Sequence, residues 1–291
     1  MNKWFNKIKV FSLFAGVSIL AFLLVVILPF FYGIWLTLTN WEGIRHRYEF
    51  IGFSNYLKLF GDQVFKDSFL LTLKYAFFTV IFTNLIAFLL AYLLTSGIKW
   101  QNLFRTIFFT PNLIGGIILG FIWQFIFHNA LPYLGQRLGI SIFSESWLAT
   151  PEKAFWALVI VTVWQYSGYM MMIYIAGLVS IPQDLIESAT IDGAGRFTLL
   201  TKIILPLMAP SFTVCLFLSL QRSFMVYDLN LALTKGGPFK STELVAMHIY
   251  NEAFLSQNYG IGQAKAFVLF ITVAVITLVQ VYLSKKAEVE L

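Results

Sequence analysis

Residues 181–210 read IPQDLIESATIDGAGRFTLLTKIILPLMAP. In a chain with only 12% charged residues, this stretch gathers three acids, two bases, two glycines and three prolines between two long apolar runs. Pro182 closes the first run. Asp184 stands where it would cap a new helix over residues 184–192, whose first turn also holds Glu187, favourable at the positive end of the helix dipole. Gly193 and Gly195 interrupt that helix, a second helical piece runs toward Leu205, and Pro206 breaks the start of the next run. Ser188, Ala189, Gly193 and Ala194 are small enough to admit another backbone or a bulky side chain, while Glu187 and Asp192 offer it acceptors. The residues alone leave two readings, a docking elbow or an interfacial loop joining two spans.

The runs on either side set the fold class. The 291-residue chain is 59% hydrophobic, with a mean hydropathy of +0.78, whereas soluble domains are about 45–50% apolar. A bilayer span takes about 20 mostly apolar residues. Six such windows occur, at 11–38, 75–97, 106–127, 156–180, 207–227 and 266–284, and only the fifth holds a charge, Arg222. The expectation is an all-α polytopic membrane protein with six transmembrane helices.

Charge placement argues orientation rather than nucleic-acid binding. The net charge is +6, but the bases are scattered through loops and tails instead of forming a stripe. Lys3, Lys7 and Lys9 precede the first span and Lys285 and Lys286 follow the sixth, which puts both termini in the cytosol. Arg45, Arg47, Lys58, Lys66, Arg137, Lys153, Lys235 and Lys240 would then lie outside, spread over longer loops where the rule weakens. The first run exceeds the about 7–15-residue core of a signal peptide and is expected to remain as an anchor. Cys215 is the single cysteine, so no intrachain disulfide is expected, and His46, His128 and His248 lack metal-ligand spacing.

The connections carry their own signals. EFIGFSNYLKLF, residues 49–60, has the spacing of a short amphipathic helix at the outer interface. The short loop 98–105 makes the second and third spans antiparallel neighbours, and Gly116 and Gly120 allow close helix packing. Pro132, Gly135, Gly139 and Pro151 predict turns through 128–155. Beyond the Gly-Gly-Pro turn of LTKGGPFKST, helical apolar spacing appears at Leu244, Met247, Tyr250 and Phe254.

Two spans carry polar faces that lipid would not favour. Thr162, Gln165, Tyr166 and Tyr169 share one face of the fourth, and Ser219, Arg222 and Ser223 one face of the fifth. A charge near mid-membrane costs at least about 2.5 kcal/mol on insertion scales, so Arg222 should face a wet cavity or a partner group. Hydroxyls, amides and rings suit a neutral polyhydroxylated ligand; an Arg fork suits an acidic or phosphorylated one. Other classes fit poorly. None of the 14 acids falls within a span, which disfavours an ion-coupled carrier, and no nucleophile–base pair or metal cluster supports an intramembrane enzyme. The chain also lacks a G-x-x-x-x-G-K-[ST] loop, so it would borrow the energy of a separate subunit.

The spacing E-S-A-T-I-D-G-A, eight residues, I-I-L-P closely resembles the E-A-A-x-x-D-G-A-x8-I-x-L-P loop of binding-protein-dependent ABC importer permeases, with Ser188 in place of an Ala. FIGFSNYLKLF, FRTIFFTPNLIGGIILGFIWQFIF, LTKGGPFKST and AFLSQNYGIGQAKA are similar to the maltose and glycerol-phosphate branch, so the resemblance covers nearly the whole chain from residue 50. It implies a type I ABC importer permease fold with an N-terminal anchor and external loop over 1–65, a permease core over 66–285 containing the coupling loop 181–206, and a cytosolic tail over 286–291. It implies that Glu187, Ser188, Ala189, Asp192, Gly193, Ala194, Ile203, Leu205 and Pro206 seat a cytosolic ATPase, and that Thr162, Gln165, Tyr166, Tyr169, Ser219, Arg222 and Ser223 line the sugar path. The implied partners are a second homologous permease, an ABC ATPase dimer that carries ATP and magnesium, and an extracytoplasmic solute-binding protein. No cofactor is expected on this chain itself. Its setting would be the cytoplasmic membrane of a prokaryote and its cargo a sugar or oligosaccharide, or an anionic solute such as glycerol 3-phosphate.

Overall fold

Inside a bilayer the backbone must satisfy its own hydrogen bonds, so apolar runs of span length fold as helices. A computed structural model describes residues 11, 14–43 and 48–286 of the chain. Lys3, Lys7, Lys9, Arg45, His46, Arg47 and residues 287–291 lie outside the described residues. The helices in chain order are α1 (Phe14–Leu36), α2 (Ser54–Gly61), α3 (Gln63–Thr95), α4 (Gln101–Phe109), α5 (Gly116–Leu138), α6 (Pro151–Val179), α7 (Gln183–Ile191), α8 (Arg196–Leu207), α9 (Ala209–Phe224), α10 (Asp228–Leu233), α11 (Val245–Tyr250) and α12 (Tyr259–Lys285). Of these, α1, α3, α5, α6 and α12 are long and apolar enough to cross a membrane, and α8 with α9, bent by 67°, make a sixth crossing if read as one span.

The chain divides into two compact units, the first comprising Met1–Gln63 with Ile249–Leu269. There a short helix forms as α2 within the stretch expected to be helical, burying Asn55 and Leu59 while Leu57 and Phe60 stay exposed. Asn55 Nδ2 donates to the carbonyls of Thr37 and Thr39, at 2.8 Å each, which fastens α2 to the end of α1. Lys265 is only 1% exposed, yet its Nζ donates to Asp62 Oδ2 at 2.7 Å and Glu252 Oε2 at 2.9 Å. A buried ammonium needs such partners.

The second unit, Val64–His248 with Phe270–Leu291, is organised around α6. One apolar cluster joins Tyr75, Leu119, Phe127, Leu158 and Leu233, and another joins Ala87, Met170, Tyr174, Met208 and Cys215. Small residues set the helix separations. A Cβ on Gly168 would collide with the Phe108 carbonyl, and Gly120 meets Ala232 and Leu233 of α10.

Three details depart from expectation, each for a backbone reason. The window 106–127 is not one helix. A short tight turn, Thr110–Leu113, follows α4, and extended Ile114 and Gly115 separate it from α5. The predicted turns around Pro132 and Gly135 are helical instead. Leu131 N donates to Ile126 O, five residues back, so the helix widens just before Pro132 and its ring clears the preceding turn. The same widened turn stands before Pro29 and Pro206. Finally, α10 occupies residues read as loop, because six residues are too few to display a helical period.

Candidate functional site

The elbow quoted at the outset is an exposed helix, α7, closed by a left-handed turn. Helix α7 begins one residue before the expected start, with Pro182 at the cap position; Asp184 sits in the first turn and makes no capping bond there. Glu187 lies a turn later and accepts from Gln183 Nε2 at 3.0 Å. At the other end Gly193 has φ +83°, Ala194 N donates to Ala189 O at 2.9 Å and Gly193 N to Thr190 O at 3.1 Å. That paired closure requires a residue free to enter the left-handed region, which is why Gly stands there.

Glu187, Ser188, Asp192 and Gly193 are exposed, and Ala189 and Ala194 are half-buried. Ile191 is 85% and Phe197 79% exposed, so the elbow also presents two apolar side chains. Ile203, Leu205 and Pro206 are half-buried in α8, while Ile204 between them is buried in the α6 cluster. Pro206 does not break the chain where the sequence predicts. The widened turn absorbs it, and the 67° bend falls at Met208 instead.

The polar faces of α6 and α9 come together, but their residues divide into two groups. Thr162, Gln165, Ser219 and Ser223 are buried and bonded to neighbouring backbone or to α3. The Thr162 hydroxyl pairs with Tyr75. Ser223 Oγ lies 2.8 Å from Thr79 Oγ1, Asn84 Nδ2 donates to Ser219 Oγ at 2.9 Å, and Tyr174 OH donates to Asn84 Oδ1 at 2.7 Å. Gln165 Nε2 donates to the Ile114 carbonyl at 3.0 Å, satisfying the acceptor that the break between α4 and α5 leaves open.

Tyr166, Tyr169 and Arg222 form the second group, each half-buried. The Arg222 guanidinium lies over both rings, 4.4 Å from the Tyr166 centroid and 4.9 Å from that of Tyr169, and donates to Asn112 Oδ1 at 3.0 Å. Among the described residues it forms no ion pair. Two ring faces, one amide and a hydrogen bond with Tyr166 hold it in place of an ion pair, so it can serve a ligand as well as a helix neighbour. Sequence reasoning missed Tyr75, Thr79, Asn84 and Asn112. The first three were visible as polar residues inside an otherwise apolar run, Tyr75 and Thr79 one turn apart.

Against this geometry stand the similarities to known proteins. Residues 83–289 match the family described as binding-protein-dependent transport system inner membrane component. The chain is 43% identical over 289 residues, 99% of its length and 98% of the other, to a probable starch degradation products transport system permease protein of Thermoanaerobacterium thermosulfurigenes. It is 33% identical over 261 residues, 90% of each chain, to a multiple sugar-binding transport system permease protein of Streptococcus mutans. Its fold matches a chain of a bacterial ABC transporter involved in the import of the acidic polysaccharide alginate, with a TM-score of 0.83 at 22% identity over 98% of this chain and 99% of that one.

Proposed function

Because the chain belongs to the binding-protein-dependent transport system inner membrane component family, we propose that it is the permease subunit of an ABC importer that carries a sugar or oligosaccharide handed over by an extracytoplasmic binding protein. The observation that supports this cargo most is the end-to-end similarity to a permease for starch degradation products. ATP and magnesium sit on a separate ATPase dimer, and a second, homologous permease completes the pathway. Both termini and the α7 elbow lie in the cytosol. The ATPase grips α7 and the residues that follow it to Pro206, and closure of the ATPase dimer swings α6 and the α8–α9 pair to alternate access to the cavity. In that cavity Tyr166 and Tyr169 cover the C–H faces of a sugar while Arg222 and Asn112 bond its hydroxyls. Thr162, Gln165, Ser219 and Ser223 hold the two helix faces in register behind them.

A second cargo reading has an observation of its own: among the described residues Arg222 forms no ion pair, which suits an oxyanion such as glycerol 3-phosphate. Uptake of labelled maltotriose and of labelled glycerol 3-phosphate by the reconstituted complex separates the two. ATP-dependent uptake of maltotriose is expected. Uptake of the phosphate alone would reverse the cargo assignment, and uptake without ATP would reject the importer.

A further inference from the structure

We propose that the cavity at the end of α5 remote from the α7 elbow is an outer saccharide subsite, visited before the cargo reaches Arg222. The inference deepens, and rests on, the saccharide reading above. Helix α6 leads into the elbow and α3 runs parallel to it, Tyr75 pairing with Thr162 and Asn84 with Tyr174, so the α5–α6 connection lies on the opposite side. There an open cavity of about 440 Å³ is lined by Phe121, Phe125, Leu148 and Leu233 together with Gln124, His128, Asn129 and Thr234. That volume falls in the range of small-molecule sites, roughly 300–1,000 Å³.

Its position follows from the packing of α5. Gly116 and Gly120 bring that helix against Asp228, Ala232 and Leu233, where a Cβ would meet neighbours within 2.9 Å. Gln124 is the next residue of the same row, but α10 has ended at Leu233, so the seam opens. With a rise of about 1.5 Å per residue, Gln124 stands ~12 Å beyond Gly116, farther out along the helix that follows Asn112.

The lining is built for sugar hydroxyls and ring faces. Phe121 and Phe125, four residues apart on α5, are 53% and 61% exposed and offer two rings on one face. Gln124 and Asn129 supply amides that both donate and accept. The His128 ring is fixed by its Nδ1, 3.0 Å from Ser146 Oγ, which leaves Nε2 for a ligand. Thr234 is tied to Asn230 and Thr242, making a rigid rim. Among the described residues no Lys or Arg lines the cavity. It therefore favours a neutral saccharide over an oxyanion, in contrast to the Arg222 cluster.

The test uses the assembled complex in proteoliposomes with maltotriose as probe. With Cys215 buried as the single native thiol of this chain, Asn129→Cys gives the chain one accessible label site, read on its own gel band. Maltotriose should slow its reaction with a maleimide, and glycerol 3-phosphate should not. In Phe125→Ala the loss should appear as an about tenfold rise in KM for maltotriose rather than as a fall in maximal rate. If wild-type complex imports maltotriose but the label is unprotected and KM unmoved, the subsite is overturned alone. If wild-type complex imports no saccharide, the cargo assignment and the subsite fall together.

Discussion

At Arg222 the cost of a charge in an apolar run meets a local answer, two tyrosine faces and one asparagine oxygen. Each such ring contact is worth about 0.5–2 kcal/mol. Arg222→Leu is therefore expected to leave the chain inserted but to lower ATP-driven uptake at least about tenfold, since a loss near 1.4 kcal/mol is tenfold; unchanged initial rates would remove Arg222 from the path. Asn84 has the opposite character. It links Ser219 to Tyr174 inside the helix bundle, and Asn84→Leu removes the amide oxygen that accepts from the Tyr174 hydroxyl and the amide that donates to Ser219. Destabilisation of about 1–3 kcal/mol is expected, read as a lower unfolding temperature in detergent. These two residues also mark how far the site was legible. Periodicity shows which polar residues of α6 and α9 share a face, but it does not distinguish those closed against another helix from those left half-buried. Thr162 and Ser223 point to Tyr75 and Thr79, whereas Tyr166 and Tyr169 hold the cation.

At the scale of elements, the elbow α7 owes its shape to one backbone angle. Among the described residues nothing lies within 4 Å of a would-be Cβ on Gly193, so a substitution there is opposed by its φ of +83° and not by crowding. Gly193→Val should cost at least about 1–2 kcal/mol locally and unwind the closure of α7. Uptake should be lost while membrane insertion persists, and Gly193→Asn, which tolerates the left-handed region, should retain more; equal activity of the two would detach the turn from coupling. Helix α7 was readable because its glycines and prolines punctuate a polar stretch. The break between α4 and α5 was not, because Thr110–Gly115 sits inside a run whose hydropathy masks it. Pro132 and Pro206 were misread for a shared reason. A proline predicts a helix stop only if the turn before it stays regular, and Ile126–Ala130 and Leu200–Ile204 widen instead.

For the whole molecule, the apolar windows were legible because bilayer thickness imposes a length that hydropathy detects directly. The membrane crossings then fix which loops share a side, and coupling through α7 requires it to share its side with a nucleotide-hydrolysing partner. Thr190, exposed on α7, is the position from which to ask. In sealed vesicles of known sidedness, Thr190→Cys should react with an impermeant maleimide from the cytosolic face and crosslink to an engineered cysteine on the ATPase subunit of the purified complex. Reaction from the external face, or absence of any crosslink to that subunit in a complex that still transports, would contradict the account.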